Sequence, residues 1–136
     1  MEPRRILVVD DDRDLTEMMS LVLESVGYEV RVARSVDEGL AACADGVDLV
    51  LLDLMLPEPN DGYLFIHRLR SEAPETVRGV PVVLLSALSR VEVGDLKYPA
   101  VSGAPFPAGG AVPVTAYAEK PLPPAKLLSL VYDILG

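Results

Sequence analysis

The sequence predicts an α/β domain: a doubly wound, five-stranded parallel sheet with helices on both faces. Three observations carry this expectation. The runs Arg4–Val9, Val47–Leu52 and Val80–Leu85 are dominated by apolar residues, the pattern of strands buried on both faces. Segments of helical period lie between the strands, so strand and helix alternate along nearly the whole chain. Four strands end abruptly in polar residues: Asp10–Asp12, Asp53, Ser86 and Lys120. In a parallel sheet these ends share one edge, where open α/β sheets bind ligands.

Each element has its own signal. Arg4–Val9 reads as a buried first strand. Leu15, Met18, Met19, Val22 and Val26 then recur on one face of a helix, with Asp12 as its N-cap and Gly27 as its stop. Tyr28–Ala33 alternates polar and apolar residues, as an edge strand with one exposed face does. Ser35–Glu38 has the S-x-x-E form of a capping box and opens a helix to about Ala44, closed by Gly46. Val47–Leu52 is the third strand, and Asp53 stands where it stops.

Pro57 and the cluster Glu58–Gly62 mark a loop. From Gly62 to about Glu72, Phe65, Ile66 and Leu69 face one way and His67, Arg68 and Arg70 the other, so His67 is expected in solvent. Pro74 ends this third helix. Val80–Leu85 is the fourth strand and Val114–Glu119 the fifth. Pro123 and Pro124 lead a last helix with Leu127, Leu128, Val131, Ile134 and Leu135 toward the core. Residues 91–113 break the regularity. Alternation asks for a fourth helix there, but Gly94, Pro99, Gly103, Pro105, Pro107, Gly109, Gly110 and Pro113 oppose one, so it is expected shortened or replaced by a loop.

Composition sets limits. At 136 residues, half of them hydrophobic, the chain is expected to form a single domain, residues 1–136. A net charge of −9 argues against direct binding to nucleic acid or to an anionic membrane. No apolar run reaches the roughly 18–20 residues of a membrane span. Met1–Arg5 leads straight into a strand, so no signal peptide is expected. The single cysteine, Cys43, lies at helical spacing with Val36, Leu40 and Ala44, which suits a buried thiol and a reducing, cytoplasmic setting.

The polar strand ends have a joint chemistry. Carboxylates brought within several ångströms repel each other, and burial worsens it. A divalent cation relieves the repulsion, and an oxygen-only site suits Mg²⁺, with Mn²⁺ as a substitute. Lys120 adds a fixed positive charge and Ser86 a hydroxyl. Two cations and a donor around one carboxylate suit a group richer in anionic oxygens, with phosphoryl the natural candidate. Residue by residue, plainer roles stay open: Asp53 as a turn cap, Asp10–Asp12 as helix caps, Lys120 as a surface lysine, Tyr117 as packing.

Ile6–Asp12 (ILVVDDD), Leu51–Pro57 (LLDLMLP), Asp61-Gly62, Leu85–Ala87 and Tyr117–Pro121 (YAEKP) together resemble the receiver domain of two-component response regulators. The resemblance implies a flavodoxin-like sheet of order 2-1-3-4-5. It implies that Asp53 is the phosphoacceptor, taking a phosphoryl group from a histidine kinase or phosphotransfer protein. Asp11 would ligate Mg²⁺ directly and Asp10 partly through water, joined by Asp53 and the backbone carbonyl of Met55. Lys120 would pair with a phosphoryl oxygen, Ser86 would move onto the phosphoryl group, and Tyr117 would report that movement by its rotamer. The Lys120–Pro121 bond matches one that is usually cis.

The resemblance further implies a signalling module, catalysing only its own phosphotransfer and slow dephosphorylation. Met55 and Leu88 match positions that tune phosphoryl lifetime. Both are apolar, and neither can orient an attacking water. The stretch from Ser86 to Lys120 is longer than the family pattern, and the Pro57–Gly62 loop looks one residue long. Two other readings remain beside the phosphorylated receiver. One is a pseudo-receiver, a binding module that switches without phosphate. The other is a Mg²⁺-dependent phosphohydrolase, for which Leu54-Met55 offers no second acid/base carboxylate. The downstream target, or any attached output domain, is not legible.

Overall fold

In a computed structural model, the structure describes residues 3–53, 61–86 and 114–136. The elements follow in the order β1 (Arg5–Val9), α1 (Arg13–Ser25), β2 (Glu29–Ala33), α2 (Val36–Ala44) and β3 (Leu49–Asp53). Then come α3 (Asp61–Ser71), α4 (Glu75–Arg78), β4 (Val82–Ser86), β5 (Ala116–Glu119) and α5 (Pro124–Leu135). All strands are parallel, in the order β2-β1-β3-β4-β5. This is the expected doubly wound sheet, with β2 at one edge. The segment 91–113, where a shortened or missing helix was expected, lies outside the described residues, as do residues 57–60 of the Pro57 loop.

The alternation of side chains across the sheet divides the core in two. Leu7, Val9, Val50, Leu52, Val82 and Leu84 face α2 and α3, meeting Cys43, Phe65, Ile66 and Leu69. Ile6, Val8, Leu49, Leu51, Val83 and Leu85 face α1 and α5, meeting Met19, Leu23, Leu127 and Val131. The three central strands are buried on both faces, which is why their sequences show no alternation. Burying each such side chain stabilises the fold by about 1.5–3 kcal/mol before the entropy cost is counted.

The helix ends are fixed by the residues the sequence suggested. Asp12 accepts a hydrogen bond from the Leu15 amide at 3.1 Å, and Ser35 accepts one from the Glu38 amide at 3.2 Å. The Glu38 carboxylate reaches back one residue further than expected, to the Arg34 amide at 2.8 Å. Gly27 takes φ +100° and directs its amide to Glu24 O while Tyr28 bonds Leu23 O, an arrangement that needs a residue without Cβ.

Four expectations are corrected. Val26 is not part of the buried face of α1; it is the C-cap and more than half exposed. Pro74 does not simply end α3, because the one-turn α4 follows it. Arg70 is half-buried, and its guanidinium donates to the carbonyls of Arg78 and Val80, tying the end of α3 to the start of β4. His67 is buried, 7% exposed, not solvated. Its Nδ1 has no hydrogen-bond partner among the described residues.

Candidate functional site

The site lies at the carboxyl edge of the sheet. Asp10 follows β1, Asp53 ends β3, Ser86 ends β4, and Lys120 follows β5. Register explains why they meet: β1 pairs with β3, β3 with β4 and β4 with β5, each in parallel. Asp10 donates its amide to Ala33 O at 3.0 Å, and Lys120 donates its amide to Ser86 O at 2.7 Å. Asp10 and Lys120 thus sit one residue beyond a rigid ladder, and Asp53 and Ser86 stand on its last rungs.

Asp10, Asp11 and Asp53 each have one carboxylate oxygen within 4.8 Å of the others. Asp10 is fully buried, Asp53 nearly so, and Asp11 is exposed. Lys120 Nζ lies 2.8 Å from Asp10 Oδ2 and 3.3 Å from Asp53 Oδ2. The second oxygen of Asp10 accepts from the Asp12 amide at 3.0 Å. Burial is the largest single influence on Lys120 and pulls its pKa down. The hydrogen bonds and charges of Asp10 and Asp53 together outweigh it and hold the ammonium above its ordinary value.

Three carboxylates and one ammonium leave the cluster with net negative charge and only oxygen donors. That donor set fits a hard divalent cation such as Mg²⁺. Asp12, the third acidic residue of the run, is not among the cluster, because its side chain caps α1.

Ser86 is buried, 4% exposed, beside this group. Tyr117, opposite Leu84 in the ladder, is half-buried and packs against the α2–α3 side of the core. It is close enough to Tyr63 to help hold that phenol above its ordinary pKa, although burial of Tyr63 is the larger cause. The Lys120–Pro121 peptide is cis. Met55 and Leu88 lie outside the described residues. The sequence reading missed the Asp12 amide as a partner of Asp10; backbone donors leave no mark on residue type.

Residues 6–96 match the model of the response regulator receiver domain. The chain belongs to that family. The receiver is 36% identical over 129 residues to the DNA-binding response regulator MtrA of Mycolicibacterium smegmatis, covering 94% of this chain and 49% of that protein. It is 38% identical over 89 residues to the DNA-binding dual master transcriptional regulator RpaA of Synechocystis, covering 65% of this chain and 36% of that protein. Its fold superposes on the chemotaxis response regulator CheY4 of Vibrio cholerae with a TM-score of 0.77 at 25% identity, covering 98% of this chain and 99% of that one. The receiver spans about a third to a half of the length of the curated relatives it matches.

These relatives overturn one expectation. Net charge was read as excluding direct nucleic-acid binding, yet MtrA and RpaA are both named as DNA-binding. The acidic balance of a receiver reflects the carboxylates of its own site and surface. It does not govern DNA contact by a protein that includes one. Among the described residues, no helix is long and apolar enough to cross a membrane. Receivers are signalling modules rather than enzymes acting on outside substrates.

Proposed function

We propose that this receiver is phosphorylated on Asp53 in a two-component relay and changes partners as a result. The observation that carries the reading is the grouping of Asp10, Asp11 and Asp53 with the Lys120 ammonium between two of them. A carboxylate held beside a lysine and a cation site is arranged for an incoming group richer in anionic oxygens than itself. Asp10, Asp11 and Asp53 would hold the metal, joined by the backbone carbonyl of Met55 that the family resemblance supplies. Bound Mg²⁺ would neutralise charge on the phosphoryl oxygens.

Asp53 attacks the phosphorus of a phosphohistidine on a kinase or phosphotransfer protein. The oxygen–phosphorus bond forms as the phosphorus–nitrogen bond breaks, and the departing imidazole nitrogen keeps the bonding electron pair and takes up a proton from solvent. Lys120 pairs with a phosphoryl oxygen, and in doing so leaves Asp10 less tightly held. Ser86 donates its hydroxyl to the phosphoryl group, and Tyr117 turns inward behind it. The relatives named as DNA-binding support DNA as the eventual target of the switch, in whatever longer polypeptide this receiver serves.

Intact-protein mass after incubation with acetyl phosphate and Mg²⁺ tests the reading. Wild type is expected to gain one phosphoryl group, and Asp53→Ala none. Absence of any gain in wild type, with Mg²⁺ binding shown separately, would instead make the chain a pseudo-receiver.

A further inference from the structure

Asp12 lies outside the carboxylate cluster, yet four interactions run through it. Its amide donates to Asp10 Oδ1 at 3.0 Å, and its side chain accepts from the Leu15 amide at 3.1 Å. Its carbonyl accepts from the Thr16 amide at 3.0 Å. Thr16 is itself buried and anchored, its hydroxyl donating to Arg13 O at 3.1 Å. The last link is covalent: Asp11 sits between Asp10 and Asp12. The turn carrying two of the three cluster carboxylates is therefore pinned to β2 through Asp10 and to the first turn of α1 through Asp12.

From this we propose that Asp12 is a positioning residue for the metal site, acting through its cap of α1 and not through its charge. The proposal rests on the reading of the site as a cation and phosphoryl centre. Both oxygens of buried Asp10 are committed, one to Lys120 and one to the Asp12 amide. The cap keeps that amide aimed at Asp10. Without it the first turn frays, since the Leu15 amide loses its acceptor. The Asp10 carboxylate then turns more freely and Asp11 loses its fixed backbone, so a cation must order both on binding. Ligands left unoriented in this way bind metal more weakly even though every donor is still present.

The test is Mg²⁺ titration by calorimetry of wild type, Asp12→Ala, Asp12→Asn, Asp12→Ser and Ser35→Ala, with urea midpoints recorded for each. Ser35→Ala removes the matching cap of α2, away from the site, and controls for lost stability alone. Asp12→Ala is expected to weaken Mg²⁺ binding about tenfold. Asn and Ser, neutral residues that cap well, are expected to restore it to within about twofold of wild type. Ser35→Ala should lower the midpoint comparably and leave Mg²⁺ affinity unchanged. Three results would overturn the proposal: wild-type affinity in Asp12→Ala, equal weakening in Asp12→Asn and Asp12→Ala (a charge effect), or equal weakening in Ser35→Ala. Failure of wild type to bind Mg²⁺ at all would sink the metal-site reading itself, and the proposal with it.

Discussion

Lys120 Nζ stands 2.8 Å from Asp10 Oδ2, joining residues 110 positions apart in the chain. It is closer to Asp10 than to Asp53, the carboxylate proposed to react, at 3.3 Å. Asp10 is fully buried, so this ammonium is the counterion that makes its burial tolerable.

Removing that counterion has a definite consequence. Lys120→Met is expected to cost about 2–4 kcal/mol at pH 7 without divalent metal, because buried Asp10 is left without its partner. Adding Asp10→Asn should recover most of the loss, since the stranded charge goes with it. Urea denaturation of the single and double variants checks this. A double variant less stable than the single one would place the effect elsewhere.

The buried thiol predicts an alkaline limit. Burial pushes the Cys43 pKa from 9.0 up to about 11, outweighing the opposing charge of Arg70. A pKa raised by folding means stability that is intact below the unfolded value and lost as pH climbs toward the folded one. The loss falls between pH about 9 and 11, and Lys120, whose pKa is also raised, declines in the same direction at the alkaline end. Denaturation midpoints across this range should fall less steeply in Cys43→Ala than in wild type. At pH 8 the native thiol should resist iodoacetamide until the protein is unfolded.

Packing of α2 on α3 leaves no room for one methyl group. A Cβ at Gly39 would lie 2.7 Å from Phe65 Cε2, and Phe65 is fully buried. Gly39→Ala is therefore expected to destabilise by about 1–2 kcal/mol despite the better helix propensity of alanine. Thermal unfolding checks it. Phe65→Leu, by making space, should shrink the penalty.

If Asp53 is phosphorylated as proposed, its phosphoryl lifetime is expected to depend on two apolar residues at the positions that the receiver resemblance assigns to lifetime tuning. With methionine at 55 and leucine at 88, no side chain there can orient water, and self-dephosphorylation is expected on the order of hours. Decay of the phosphorylated mass after removal of donor measures it. A half-life under about a minute without a phosphatase would contradict the assignment of these positions.

The sequence by itself determined what depends on local pattern. Uninterrupted apolar runs gave β1, β3 and β4 because strands covered on both faces have no polar side to show. Asp12 and Ser35 were legible as caps because a short side chain with an acceptor oxygen serves the open amides of a first turn. The polar residues at the strand ends were legible as one site because parallel strands send those ends to one edge.

Tertiary structure decided what depends on neighbours from elsewhere in the chain. His67 falls on the polar side of its helix by period, yet it is buried, because the fold covers more of α3 than its apolar stripe. Lys120 favours Asp10 over Asp53 by geometry that residue spacing cannot encode. Asp10 is oriented by the backbone amide of Asp12, a donor present at every residue but proline and so invisible as a letter. Local pattern fixes where an element starts and which face is apolar; burial and pairing are set by what the rest of the chain brings against it.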